Sequence, residues 1–89
     1  MIKDSTQHSK SIVLAEETVR FGGMILDYRL AAYPSRNERF RIRITSGDER
    51  AESAIGNDIE AALRAYRAIL RGRVTTCGLE DVMYDLKSV

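Results

Sequence analysis

The pattern of apolar and polar positions divides the chain into two halves with different periods. From Ser11 to Ala54 the repeat is two residues, the repeat of a half-buried strand, and from Gly56 onward it is that of a helix. Two strand-forming runs, 11–21 and 24–33, are separated by Gly22-Gly23. Paired glycines between apolar runs predict a tight hairpin, since the favoured turns need positive φ. Folding the chain there sets Val19 opposite Leu26, Glu17 opposite Tyr28 and Ala15 opposite Leu30. The other face then carries Thr18 opposite Asp27 and Glu16 opposite Arg29, a cross-strand ion pair. One face is mostly apolar, as a sheet covered on one side requires. Glu17 breaks that face and is accommodated if its strand lies at an edge.

After the turn residues 33–38 comes the most regular alternation in the chain, with Phe40, Ile42 and Ile44 inward and Arg39, Arg41 and Arg43 outward. A turn at Gly47-Asp48 then pairs Arg43 with Glu52 and Phe40 with Ile55, giving a fourth strand over about 50–55. This alignment places Arg43 between Asp27 and Glu52. Asn57 is read as a helix N-cap, with Glu60 completing a capping box. Ile59, Ala62, Leu63, Tyr66, Ile69 and Leu70 make the apolar stripe of a first helix, and Gly72 fits its C′ position. A second helix opens near Thr76 or Cys77, with Leu79, Val82, Met83 and Leu86 on one side. The expected fold class is α+β: a four-stranded antiparallel β-meander followed by two α-helices packed on one face. Residues 1–10 are read as a mobile tail and 11–89 as a single domain.

The stretch Val74-Thr75-Thr76-Cys77-Gly78-Leu79-Glu80-Asp81-Val82-Met83-Tyr84-Asp85-Leu86 resembles the ending of a family of small clostridial proteins. That family is catalogued as a domain of unknown function, and its aromatic-x-Ile-x-Ile strand is similar to Phe40-Arg41-Ile42-Arg43-Ile44. The resemblance covers most of 12–87. It implies the same fold and a bacterial, cytoplasmic setting, and no activity.

Composition narrows the functional classes. Among 89 residues the net charge is +1, so attraction to nucleic acid or membrane has to come from local clustering. Cys77 is the only cysteine, which points to a reducing cytoplasm. No signal-peptide core and no apolar run of the roughly 18–20 residues needed to span a bilayer are present, so no membrane association is expected. His8 is the only histidine and has no second ligand for a metal, nor does it lie where it could serve Cys77 as a base. Asp81, Asp85 and Glu80 could hold a cation, but they fall on the polar face of the second helix, where charges are ordinarily solvated. The glycines match no phosphate-binding loop. No cofactor, no metal and no catalysis are expected.

What rises above this background is arginine. Arg39, Arg41 and Arg43 line one strand, Arg36 precedes them, and Arg64, Arg67 and Arg71 follow one another along the first helix. Arg39 and Arg41 lack evident carboxylate partners. Such a row can track a phosphate backbone, yet no aromatics interleave it for base stacking. Ile12, Leu14 and Ile25 project on the same outer face, and apolar residues beside arginines suit a protein interface. The expectation is a non-catalytic binding or regulatory protein. It would use Arg39, Arg41, Arg43, Arg29, Ile12, Leu14 and Ile25 to contact a protein partner or a second copy. The alternative is a nucleic-acid-binding module built on the arginine strand.

Overall fold

The computed structural model describes residues 11–35 and 37–87. The segment 1–10 with His8, and Arg36, lie outside the described residues. Four strands, β1 (Ile12–Phe21), β2 (Met24–Ala32), β3 (Phe40–Ser46) and β4 (Glu49–Ala54), form one antiparallel sheet in the order β1-β2-β3-β4. Two helices follow, α1 (Ile59–Arg71) and α2 (Leu79–Lys87). The first packs on β2 and β3 and the second against β4, so the fold is the expected α+β meander with helices on one face.

The first hairpin has the expected register: Val19 lies opposite Leu26, Glu17 opposite Tyr28, Thr18 opposite Asp27 and Glu16 opposite Arg29. Gly22 (φ 59°) and Gly23 (φ 84°) both sit in the left-handed region, as a type I′ turn demands. Alternation then drives Leu26, Tyr28 and Leu30 from β2, and Phe40, Ile42 and Ile44 from β3, into the core. Ala62, Tyr66 and Ile69 of α1 and Leu79 and Met83 of α2 close it from above. Two tyrosine hydroxyls fasten the layers. Tyr28 donates to the Val74 carbonyl at 2.9 Å, and Tyr66 donates to the Tyr28 carbonyl at 3.4 Å.

Several local expectations are corrected. The N-cap of α1 is Asp58, whose carboxylate accepts the Glu60 N–H at 3.1 Å. Asn57 instead accepts the Arg39 N–H at 2.8 Å and ties the start of β3 to the helix entry. Arg39 therefore precedes β3 and is not part of its arginine row. The strand β4 starts one residue earlier than expected, at Glu49, and α2 starts at Leu79. Thr76, before that helix, donates its hydroxyl to Glu49 at 2.7 Å.

Gly72 is not the left-handed residue at the end of α1: its φ is −84°, and Arg73 takes φ 48°. Arg73 N–H donates to the Leu70 carbonyl (3.1 Å) and Val74 N–H to the Ile69 carbonyl (3.2 Å). This is a Schellman closure one residue later than the glycine suggests. A left-handed arginine carries a backbone penalty that glycine avoids. Arg73→Gly is expected to stabilise the domain by about 0.5–1 kcal/mol, read as a higher midpoint in chemical denaturation.

The alignment of β3 on β2 is also corrected. Arg43 lies between Arg29 and Glu52, while Asp27 lies opposite Thr45. The 33–39 connection, closed by the Tyr33 N–H donating to the Arg39 carbonyl at 2.7 Å, sets this register. It slides β3 by one pleat, two residues, from the alignment the charges alone suggest.

Candidate functional site

The face of the sheet away from the helices carries the charged rows. One runs Glu16, Arg29, Arg43, Glu52 across all four strands, and the next runs Thr18, Asp27, Thr45, Arg50. Arg29 is held by Glu16 at 2.7 Å, and Thr18 donates to Asp27 at 2.7 Å. Arg41, expected to lack a carboxylate, reaches Glu52 at 3.4 Å. That leaves Arg43 beside Arg29 with its Nε buried and without an acceptor among the described residues. The arginine face is thus largely neutralised within the sheet, and its expected members divide. Arg29 and Arg41 are paired, Arg43 is half-buried, and Arg39 stands outside the strand.

The apolar members fall differently. A bulge between Val13 and Ala15 inserts Leu14 as an extra residue in β1. One extra residue reverses the facing of everything before it. Ile12 consequently shares the row of Ala32 and Phe40 on the helix side, and Val13 joins the open-face row of Ala31 and Arg41. This corrects the expectation that Ile12 and Leu14 share the open face with the arginines. Ile25, opposite Arg20, does lie on the open face.

Exposure nonetheless marks both ends of one hairpin. Ile12 is 56% exposed, Val13 46%, Leu14 41%, Phe21 44%, Met24 39% and Ile25 51%, all on the β1–β2 hairpin. Elsewhere among the described residues only Ile59, Tyr84 and Leu86 are exposed large apolar side chains. Of β1 itself, only Ala15 and Val19 are partly buried. Val13, Phe21 and Met24 were missed by pattern alone. For Phe21 and Met24, on the helix side, element lengths hold the signal: a ten-residue strand runs about 33 Å, whereas the thirteen-residue α1 spans about 20 Å. The helix cannot roof the hairpin from end to end.

Two grooves flank α1. A groove of about 340 Å³ between β1 and α1 is lined by Glu17, Val19, Leu70, Arg67, Arg71 and Arg73. A larger one of about 880 Å³ lies between α1 and α2, lined by Ile55, Ala61, Ala65, Met83 and Leu86 together with Glu38 and Arg64. Burial pushes the Tyr66 phenol up to about 12, helped by the negative charges of Glu17 and Glu16. Burial likewise raises Tyr28, partly offset by Arg73. The unfolded phenol ionises near 10, so the folded state holds the Tyr66 proton more tightly. Its contribution to stability is complete below about pH 10 and is lost as pH rises through about 12. Alkaline denaturation monitored by tyrosinate absorbance is expected to shift to higher pH in Tyr66→Phe than simple loss of its hydrogen bond would allow.

Cys77 is exposed, and no cluster of three metal-ligating side chains occurs among the described residues. Glu80, Asp81 and Asp85 are exposed along α2. No described helix is long and apolar enough to cross a membrane. No protein-family model matches the chain, and neither a curated protein nor a solved structure matches it.

Proposed function

We propose that the chain is a small non-catalytic protein-binding domain that acts through its β1–β2 hairpin. The observation that carries this reading is the exposure of Ile12, Val13 and Leu14 at one end of the hairpin and of Phe21, Met24 and Ile25 at the other, while β2 and β3 are otherwise well covered. Exposed apolar residues scattered singly mean little, but six on one hairpin with a free edge, three at each end, are what a partner covers. The open face beside it supplies arginine and carboxylate for a polar rim. A cytoplasmic, bacterial setting belongs to the same proposal, as does affiliation with the clostridial family that the Val74–Leu86 stretch resembles. That family contributes no activity to it.

The second reading, a nucleic-acid surface, draws on Arg43, whose Nε has no acceptor among the described residues, and on Arg50 in the adjacent row. Against it stand the ion pairs that occupy Arg29 and Arg41. Anisotropy of labelled single- and double-stranded oligonucleotides at two salt concentrations separates the readings. The protein-binding reading expects no saturable signal at low salt. Binding that falls steeply with salt and disappears in Arg41→Ala/Arg43→Ala would replace it with the nucleic-acid reading. A turnover abolished by Cys77→Ser or Asp81→Asn would contradict the non-catalytic part.

A further inference from the structure

We propose that the free edge of β1 pairs with the β1 of a second copy, antiparallel about a two-fold axis at Thr18, to form one continuous eight-stranded sheet. The inference rests on the protein-binding reading above and names its partner.

The two edges of the sheet are unequal. The β4 edge is six residues long and has α2 packed against it, whereas β1 is ten residues long with little cover. A long strand edge is a row of unpaired backbone donors and acceptors and a template for another strand. Which groups are free follows from the turn. In a two-residue hairpin the pair flanking the turn, here Phe21 and Met24, exchanges both backbone hydrogen bonds, and antiparallel pairs alternate from there. Arg20, Thr18 and Glu16 therefore direct their N–H and C=O groups away from β2, to the open side. The side chains of these three residues share the open face.

Self-pairing about a two-fold axis perpendicular to the sheet permits few registers, and charge chooses among them. Centring on Glu16, Glu17 or Arg20 sets that residue against its own copy, and like charges directly opposite are unfavourable. Centring on Val19 opposes Arg20 to Thr18 and gains no ion pair. Centring on Thr18 opposes Thr18 to Thr18, and Arg20 of each copy to Glu16 of the other. The carboxylate that already holds Arg29 at 2.7 Å then bridges two arginines. On the helix side this register sets Phe21 over Ala15 of the other copy and Glu17 opposite Val19.

Two features of β1 that ordinarily blunt an edge act here as selectors. The bulge at Leu14 ends the ladder, so pairing is confined to residues 15–21. The inward-facing Glu17 forbids the register centred on itself, and its charge lies in the groove with Arg67, Arg71 and Arg73.

The test is sedimentation velocity on the whole chain from micromolar to millimolar concentration, with circular dichroism confirming that each variant is folded. The wild type is expected to form a dimer that Arg20→Glu alone and Glu16→Arg alone each weaken by about tenfold or more, since each sets like charges opposite. Mixing these two variants is expected to restore the dimer, because only the mixed pair matches opposite charges at both positions. In a Cys77→Ser background, Thr18→Cys should oxidise to a covalent dimer, its paired Cα atoms being about 5.5 Å apart. Arg20→Cys should not. A dimer that mixing fails to restore, or that cross-links Arg20→Cys as readily as Thr18→Cys, overturns the register. A monomer at every concentration overturns self-pairing alone. The hairpin then stays open to a different protein, and the oligonucleotide assay above still decides that broader reading separately.

Discussion

Ile42→Ala is expected to cost about 3–4 kcal/mol of folding stability. Ile42 lies on an inner strand, fully buried, with Leu30 and Ser53 as its cross-strand neighbours and the helices above. Removing three carbons there forfeits their transfer from water and leaves a cavity that the paired backbone of β2, β3 and β4 cannot collapse to fill. A domain of this size has on the order of 5–10 kcal/mol to lose, so the variant sits near the limit of folding. Urea denaturation should show a midpoint far below the wild type with the slope unchanged. Arg43→Ala, one residue along and facing the other way, should cost under about 1 kcal/mol, because it removes a cation placed beside Arg29. Equal losses in the two variants would mean that the sheet is not covered on one side only.

Tyr28→Ala should be at least as damaging, at about 4 kcal/mol, and comparison with Tyr28→Phe divides the effect by cause. The ring is wholly buried on β2, and its hydroxyl reaches the Val74 carbonyl just beyond the left-handed Arg73. Phe keeps the ring and leaves that part-buried carbonyl without this donor, a loss of about 1 kcal/mol. The remainder, about 3 kcal/mol, belongs to packing against α1. If Tyr28→Phe proved as severe as Tyr28→Ala, the hydrogen bond to the α1–α2 connection, not the ring, would dominate. The same melts would then show loss of α2 before loss of the sheet.

Most of this fold was legible because period and turn chemistry agree along the chain. Gly22-Gly23 set a two-residue turn, and one register then followed for every pair from Phe21–Met24 to Ala15–Leu30. Phe40, Ile42 and Ile44 declared their face without help from neighbours. The failures share a physical origin, in contacts that only the folded chain supplies. Asn57 and Asp58 are equally good caps by type. The Arg39 N–H occupies the first, so the helix begins on the second. Gly72 and Arg73 differ by one residue in a closure set by where Val74 meets Ile69. The alignment of Arg43 depended on a 33–39 connection longer than a tight turn, whose geometry its composition does not dictate.

The candidate surface was only half legible. Ile25 was found, on the expected face, because it follows directly from the turn. Ile12 and Leu14 were found as exposed residues but placed on the wrong side of the bulge or at it, since one extra residue in a strand leaves no compositional mark. Phe21 and Met24 flank the turn, and alternation alone does not mark them as exposed. Their exposure is a consequence of α1 being shorter than the hairpin beneath it. Two of the arginines singled out in the sequence, Arg29 and Arg41, proved to be paired, because neighbouring strands bring Glu16 and Glu52 to them.

The proposal of protein binding places the partner at the hairpin and not at the arginine face. Amide chemical shifts across the ¹⁵N-labelled chain test it directly, recorded as protein concentration is raised and then with a single-stranded oligonucleotide added. Shifts are expected to concentrate in Ile12–Ile25 as concentration rises, strongest at Glu16, Thr18 and Arg20, with no change on adding the oligonucleotide. Shifts confined to Arg41, Arg43 and Arg50 with the oligonucleotide, and a hairpin indifferent to concentration, would contradict it.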